Sequence, residues 1–565
     1  MSELVVGIDL GTSNSVISVL LEGQPIVIPD QEGNRVHPSI VYFFEDGRTA
    51  LGNMARSYRL QDPLNTIYSA KRLIGRPYDS PDLKVLIGSY PYPIVPSQDN
   101  APRIQVRQTL HPPEGIGARI LFYLKELAQN YLGQEVSKAV ITVPANFDEG
   151  QRRATKRAGE MAGLEVLRLV NEPTAAALAY GYGQGRREKV AIYDFGGGTF
   201  DITILELRDN VFEVLSTAGN SYLGGDDFDD RLVASMLTAF EKQYGFDLSG
   251  DEIIRQRLKA ISQDIKHALT TQEAVTTRVT EYVPGSLTEL ELEFSLSREA
   301  FNRRTVDIVD QSLRTCEEAL NVAQLQRGQI DHLVLVGGTT RVPIVQERTQ
   351  QFFNKRAVSG INPDEVVSIG AAIFGASLVA PTVSPNMHGG SINFSQAASG
   401  DDAWMNNLDS GGPPPVPQAG GHHQAAPQHH GPLLIDVTPH ALGVATVGGV
   451  MDIIIERNGQ LPLERSRYFS TSRDDQTRVV LPIYAGNSRR IEENHLLGVL
   501  ELEDIPPGPR EDVSIEVTFE VNTNSMLSIR ATDMRTGRAQ AAHLSIAGEM
   551  VGGEDASYDA TNLLM

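Results

Sequence analysis

The chain has 565 residues, 41% hydrophobic and 21% charged, enough for several domains with sizeable cores and too apolar for a wholly disordered or collagen-like chain. Asp and Glu outnumber Lys and Arg by 71 to 49, a net charge of −22, which argues against a general binder of nucleic acid or anionic membrane. The one cysteine, Cys316, excludes an internal disulfide, and no CxxC or Cys/His spacing suggests zinc.

The chain opens MSELVVGIDLG, where Glu3 and Asp9 interrupt the apolar run before a signal peptide could form. No later stretch reaches the roughly 18 uninterrupted apolar residues of a membrane helix. A cytoplasmic protein is expected. Over residues 1–380, buried-type strands (LVVGIDL, KAVITVP, KVAIYDFG, HLVLVGG) alternate with helical patterns. Ile116, Ile120, Leu121, Leu124, Leu127 and Tyr131 keep helical spacing, as do apolar positions in 226–243, 251–270 and 297–320. This predicts an α/β domain.

Residues 381–432 lack Lys and Arg, contain PPPVP and paired glycines, and carry His388, His422, His423, His429 and His430. Pro and Gly support neither a helix nor a central strand, so a disordered linker is predicted. The histidines could bind a metal or be solvated spacer; Trp404 could anchor a partner or be loose linker. Over 433–547 the pattern is all-β. Val513, Ile515, Val517, Phe519 and Val521 alternate strictly with polar residues, and further strands are predicted at 441–446, 450–456, 477–484, 496–502, 526–532 and 541–547. The tail, 548–565, is polar and small and is expected to be disordered.

Two segments read as variants of one device. Gly7-Ile8-Asp9-Leu10-Gly11-Thr12-Ser13-Asn14 and Asp194-Phe195-Gly196-Gly197-Gly198-Thr199-Phe200-Asp201 each place an Asp at a strand end, then glycines, a Thr and a second apolar strand. Glycine lets successive backbone N–H groups approach phosphate oxygens, hydroxyls add donors, and the Asp can hold Mg²⁺ through water. A tight β-turn is the plain reading of either segment alone. The pair suggests two lobes gripping one polyphosphate. A third glycine turn, Gly337-Gly338-Thr339-Thr340-Arg341, precedes a helix whose N-terminus favours an anion, and Arg341 could stack on a nucleobase. Lys71, beside Arg72, reads alone as a solvated charge, and Glu172 as a first-turn carboxylate.

GIDLGTSNS, AKRLIG, ITVPANFDEGQRRATKRAG, LEVLRLVNEPTAAALAYG, YDFGGGTFDITI, LGGDDFD, VGGTTRVP and NPDEVVSIGAA occur in this order, followed by LLIDVTPHALGVATVGGVM, FSTSRDDQT and IEVTFEV. In this the chain resembles the seventy-kilodalton heat-shock chaperone family, the DnaK type, over nearly its whole length except 381–432 and the tail. The resemblance implies an actin-like two-lobed ATPase joined to a β-sandwich that binds extended apolar peptides of unfolded clients. By the resemblance, Asp9, Glu172 and Asp194 hold hydrated Mg²⁺, Thr12 and Thr199 contact the phosphates of ATP, and Lys71 positions the attacking water. It likewise implies nucleotide contacts from Gly11, Ser13, Asn14, Gly196, Gly197, Gly198, Gly224, Gly225, Gln263, Lys266, Thr270, Gly337, Gly338, Thr339, Arg341 and Asp364. Interdomain coupling falls to Pro144, Arg152, Lys156, Arg168 and the linker Leu433, Leu434, Ile435 and Asp436. The peptide cleft falls to Val444, Val447, Phe469, Ser470, Ser472, Val479 and Leu481, residues that would otherwise read as ordinary sandwich. A J-domain co-chaperone and a nucleotide exchange factor are implied as partners.

Four departures stand against the family pattern. Gln263 replaces a ribose-binding glutamate and lacks its charge. His267 stands where Arg is common. The linker is extended by about fifty residues before Leu433, and the helical lid expected after the sandwich is absent, which predicts fast peptide release. Three other readings use the same residues: a nucleotide-switched adaptor with little turnover, a small-molecule kinase, and an actin-like filament protein. No acceptor-side general base stands out for a kinase, and neither it nor a filament protein explains the second, all-β domain.

Overall fold

Val5–Leu10 is almost entirely apolar and buried on both faces, as a central strand between two helical layers must be. It pairs in parallel with Lys138–Val143 and antiparallel with Asn14–Leu21. Glu165–Asn171 and Gln24–Val27 complete the run at either side. A second sheet repeats the plan, in the order His332–Val336, Arg187–Phe195, Phe200–Arg208, Val211–Asn220 and Leu433–Ile435. These are two lobes. The computed structural model describes residues 4–379, 431–446, 448–511 and 513–541. The predicted linker up to residue 430, the strand beyond Ala541, the tail 548–565 and Val447 lie outside the described residues.

The lobes share one core because the Val366–Val379 helix is apolar on every side and packs between them. Glycines set its approach. A Cβ on Gly370 would lie 1.7 Å from the Ala175 carbonyl oxygen, on the alanine-rich Glu172–Gly181 helix. A Cβ on Gly7 would lie 2.1 Å from the Ala372 nitrogen. The predicted helices appear as Pro113–Leu132, Gly225–Tyr244, Glu252–Thr271 and Arg298–Val322. Among the described residues no helix is long and apolar enough to cross a membrane. A hairpin that the sequence reading did not place, Ala274–Tyr282 with Glu289–Ser297, extends the second lobe.

The C-terminal part is two four-stranded sheets face to face. One runs Val450–Ile455, Leu442–Thr446, Val479–Ala485, His495–Leu502; the other runs Leu463–Ser470, Ser514–Val521, Leu527–Asp533, Ala539–Ala541. The alternating Ile515, Val517, Phe519 and Val521 face its core. Leu463–Ser470 was not among the predicted strands. It lies at a sheet edge with nearly every residue exposed, so no alternation marks it.

The Leu433–Ile435 strand carries the sandwich onto the lobes, pairing in parallel with Val211–Glu213. Next to it, Asp436 accepts hydrogen bonds from Asn171 Nδ2 at 2.6 Å and Thr174 Oγ1 at 3.3 Å. Arg168 donates to the Thr523 carbonyl at 3.0 Å, Glu149 accepts from the Leu527 amide at 3.0 Å, and Gln460 donates to Glu213 at 2.7 Å. The sandwich is therefore docked on both lobes.

Replacing Gly370 by Ala is expected to destabilise the two lobes by about 1–3 kcal/mol, the usual cost of overpacking, read as a lowered denaturant midpoint. His440 gives a second test. It lines a cavity of about 350 Å³ between the 146–148 segment and the sandwich. Burial, then the charges of Arg457 and His495, depress its pKa to about 4, while Asp148 opposes the shift. The neutral ring is thus favoured when docked, so docking is at full strength above the ordinary histidine range and is lost as pH falls toward 4. Docking should weaken about tenfold between pH 7.5 and 5.5, seen as faster proteolysis near residues 431–436, and His440→Leu should abolish that dependence.

Candidate nucleotide site

The two Asp-glycine turns meet face to face across the lobes. A Cβ on Gly197 would sit 2.0 Å from Ser13 Oγ, and one on Gly198 would sit 3.2 Å from a Thr12 methyl. Only glycine permits that approach. Behind them the Gly225 and Asp226 amides donate to the Gly196 and Gly197 carbonyls at 3.0 and 2.7 Å, and Thr339 Oγ1 donates to the Gly196 carbonyl at 2.8 Å. Gly337 has φ +83°, and a Cβ there would be 2.5 Å from the Phe195 carbonyl oxygen. It leads into a short 3₁₀ turn, Gly338–Arg341, before the Pro343–Phe353 helix.

The turns enclose a cleft of about 520 Å³, lined by Asp9, Gly11, Thr12, Ser13, Asn14, Lys71, Glu172, Asp194, Gly196, Gly197, Thr199, Gln263, Lys266, Thr270, Gly337, Gly338, Thr339, Arg341 and Asp364. Gly198, Gly224 and Gly225 back it. Lys266 donates to the Gly225 carbonyl and to Asp229, both at 2.8 Å. Arg341 is tied to Asp364 at 2.8 Å and Asn362 at 2.7 Å, at the open edge. Thr270 Oγ1 donates to the His267 carbonyl at 2.6 Å.

The floor of the cleft is strongly charged. Lys71 Nζ donates to Glu172 Oε1 at 2.7 Å, and both side chains are buried. Burial first, then the charge of Glu172, pushes Asp9 up to about 7, against the pull of Lys71 and the Thr142 hydroxyl at 3.2 Å. Burial likewise raises Asp194 and Asp201 well above the usual carboxylate range, again with Glu172 adding repulsion. Asp201 was read in the motif but given no role. It is the register partner of Asp194 across the hairpin, so the second carboxylate of DFGGGTFD was the available signal. Four carboxylates, three of them buried, share one ammonium, an imbalance that a divalent cation relieves. Among the described residues no three His, Cys, Asp or Glu side chains are grouped so as to ligate an ion directly.

Arg152 is buried and donates to the Phe147 carbonyl at 3.0 Å and Asn171 Oδ1 at 2.8 Å. Asn171 in turn bonds Asp436, one residue from Glu172. Pro144 is buried beside this group, and Arg168 reaches the sandwich. Lys156 instead lies exposed, 3.6 Å from Glu160 on its own helix. In the sandwich, Val444 and Val479 are buried in the core, Phe469 and Leu481 pack half-buried against it, and Ser470 and Ser472 are exposed. A family model described as Hsp70 protein matches residues 5–386 and 419–556. With actin-like ATPase lobes followed by a β-sandwich, the chain belongs to the Hsp70 family.

Proposed function

We propose that this chain is an ATP-hydrolysing chaperone that binds extended apolar segments of unfolded polypeptides and couples their binding to the nucleotide. Hsp70 proteins are chaperones with ATPase activity that use ATP and Mg²⁺. The observation that best supports the finer reading is the buried Lys71 among acidic groups, directly beneath two facing glycine turns. In phosphoryl transfer the protein acts chiefly by positioning and charge stabilisation. Thr12 and Thr199 would donate to phosphate oxygens, the glycine amides would cradle them, and Lys71 Nζ would hold the attacking water. Asp9, Glu172 and Asp194 fit a hydrated Mg²⁺, which would neutralise phosphate charge.

We assign residues 1–380 to the nucleotide domain and 433–547 to the peptide domain, with Val444, Phe469, Val479 and Leu481 at the apolar cleft and Ser470 and Ser472 at its margin. Extended peptides are held there by main-chain hydrogen bonds and apolar pockets. A J-domain co-chaperone and an exchange factor complete the cycle in the cytoplasm. The direct test is steady-state ATPase with and without an unfolded apolar peptide: stimulation supports the chaperone, and phosphorylation of an added sugar would replace it with a kinase.

Lys71→Ala should leave ATP bound and cut turnover by about 10²–10³, because the lysine acts on the water. Equal single-turnover rates would remove it from the chemistry. Coupling should run through the LLID segment. Asp436→Ala or Leu434→Asp should abolish peptide stimulation, whereas deleting residues 384–430 should change it by less than about tenfold, or 1.4 kcal/mol.

A further inference from the structure

Where the sandwich meets the lobes, it closes over the cavity of about 350 Å³ beside His440, and all three bodies line it. The first lobe contributes Arg76 and the 146–151 segment, the second lobe the 217–222 segment and Glu318, and the sandwich Arg457 and Asn487. The nucleotide cleft shares none of these residues. The volume is that of a small-molecule site rather than of a single buried water.

The lining is richer in donors than in acceptors. Three amides have their carbonyl oxygen already taken by a backbone N–H: Gln151 Oε1 accepts from Asp148 at 3.2 Å, Asn220 Oδ1 from Tyr222 at 2.9 Å and Asn487 Oδ1 from Ala441 at 3.3 Å. A backbone N–H only donates, so none of these amides can be flipped, and the end each leaves for a ligand is its NH₂. Gln151 is 2% exposed, and its Nε2 has no hydrogen-bond partner among the described residues; the same holds for Arg457 Nε. The acids of the lining are engaged. Glu318 accepts from Arg457 Nη1 at 2.5 Å, and Asp148 accepts from the Gln151 backbone amide at 2.9 Å. Of the buried side-chain atoms here that lack a partner among the described residues, only Asn146 Oδ1 accepts. A polyol brings a hydrogen with every hydroxyl oxygen and would find too few acceptors; a ligand of acceptors alone matches the lining. Arg76 and Arg457 supply positive charge, and the cavity lies at the N-terminus of the Glu149–Met161 helix, whose dipole favours an anion.

We propose that this cavity is a binding site for a small polyvalent oxyanion, one carrying two or more phosphate or carboxylate groups, and that the anion holds the sandwich docked. Lobes and sandwich each supply donors, so the site is complete only while they are together. A ligand that binds one state alone shifts the balance toward it by a factor of 1 + [L]/Kd.

The probes are pyrophosphate and citrate, each in magnesium-free buffer and compared with sodium chloride at the same ionic strength. Binding is read by calorimetry, and docking by the rate of proteolysis near residues 431–436. Tighter binding of pyrophosphate identifies a phosphate ligand, and tighter binding of citrate a carboxylate one. Either should slow wild-type proteolysis about tenfold at ten times its Kd. Gln151→Glu and Asn487→Asp keep the oxygen that holds the backbone N–H and put a charged oxygen in place of the NH₂. Each should weaken binding about tenfold or more and shift the protection to correspondingly higher anion concentration, whatever it does to docking in chloride alone. An anion acting in the nucleotide cleft, or a general salt effect, would be indifferent to both substitutions. The proposal is overturned if neither anion slows proteolysis beyond chloride, as a cavity filled by water alone requires, or if the folded variants are protected as well as wild type. Should Gln151→Glu fail to fold, Asn487→Asp, at an exposed position, decides by the same criterion.

Discussion

Lys71 is one buried ammonium facing Glu172 at 2.7 Å, with Asp9, Asp194 and Asp201 close enough that, after burial, the charge of Glu172 raises the proton affinity of each. Such a cluster is expensive to bury, and no ordinary stability argument would retain it. It is held because the two lobes bring their strand ends to one place. Asp9 and Asp194 end equivalent central strands, and the Val366–Val379 helix locks the two sheets at a fixed separation. The glycines at 7 and 370 serve that separation, while those at 197 and 198 let the opposing turns touch. The packing of the lobes and the charge of the cleft are therefore one constraint seen from two sides.

The same cluster connects outward through a single residue. Asn171 stands just before the helix that Glu172 begins, accepts from Arg152 at 2.8 Å, and donates to Asp436 at 2.6 Å. Arg152 is buried, and it also donates to the Phe147 and Ala145 carbonyls at 3.0 and 3.2 Å. An asparagine with both amide ends engaged cannot turn without breaking bonds on both sides. Asn171 thereby ties the start of the Glu172–Gly181 helix to both Arg152 and Asp436.

Much of this was legible in the residues. VVGIDL and KVAIYDF read as buried strands because their apolar runs leave no polar face, and IEVTFEV reads as a sandwich strand because it alternates. Leu463–Ser470 escaped because an exposed edge strand carries no pattern. Asp201 escaped because its importance comes from facing Asp194 across a hairpin, not from its own neighbours in sequence. The Arg59–Gln263 contact joins residues on different lobes, and propensity and period describe only local structure. Arg341 was legible as a cleft residue, but its tie to Asp364 and Asn362 depends on how the 362–364 segment folds back.

The docked linker shows how a strand too short to hold by itself is kept in place by contacts around it. Leu433–Ile435 adds three residues to the edge of the second sheet, and Leu433 remains 55% exposed. A three-residue edge strand is far below what stands alone in water. Its docking must draw on contacts made by the attached sandwich: Asp436 on Asn171, Thr523 under Arg168, Leu527 on Glu149. Each is individually modest, and their contributions add to that of the strand. Because the strand lies directly against the sandwich, its register on Val211–Glu213 is set from that side.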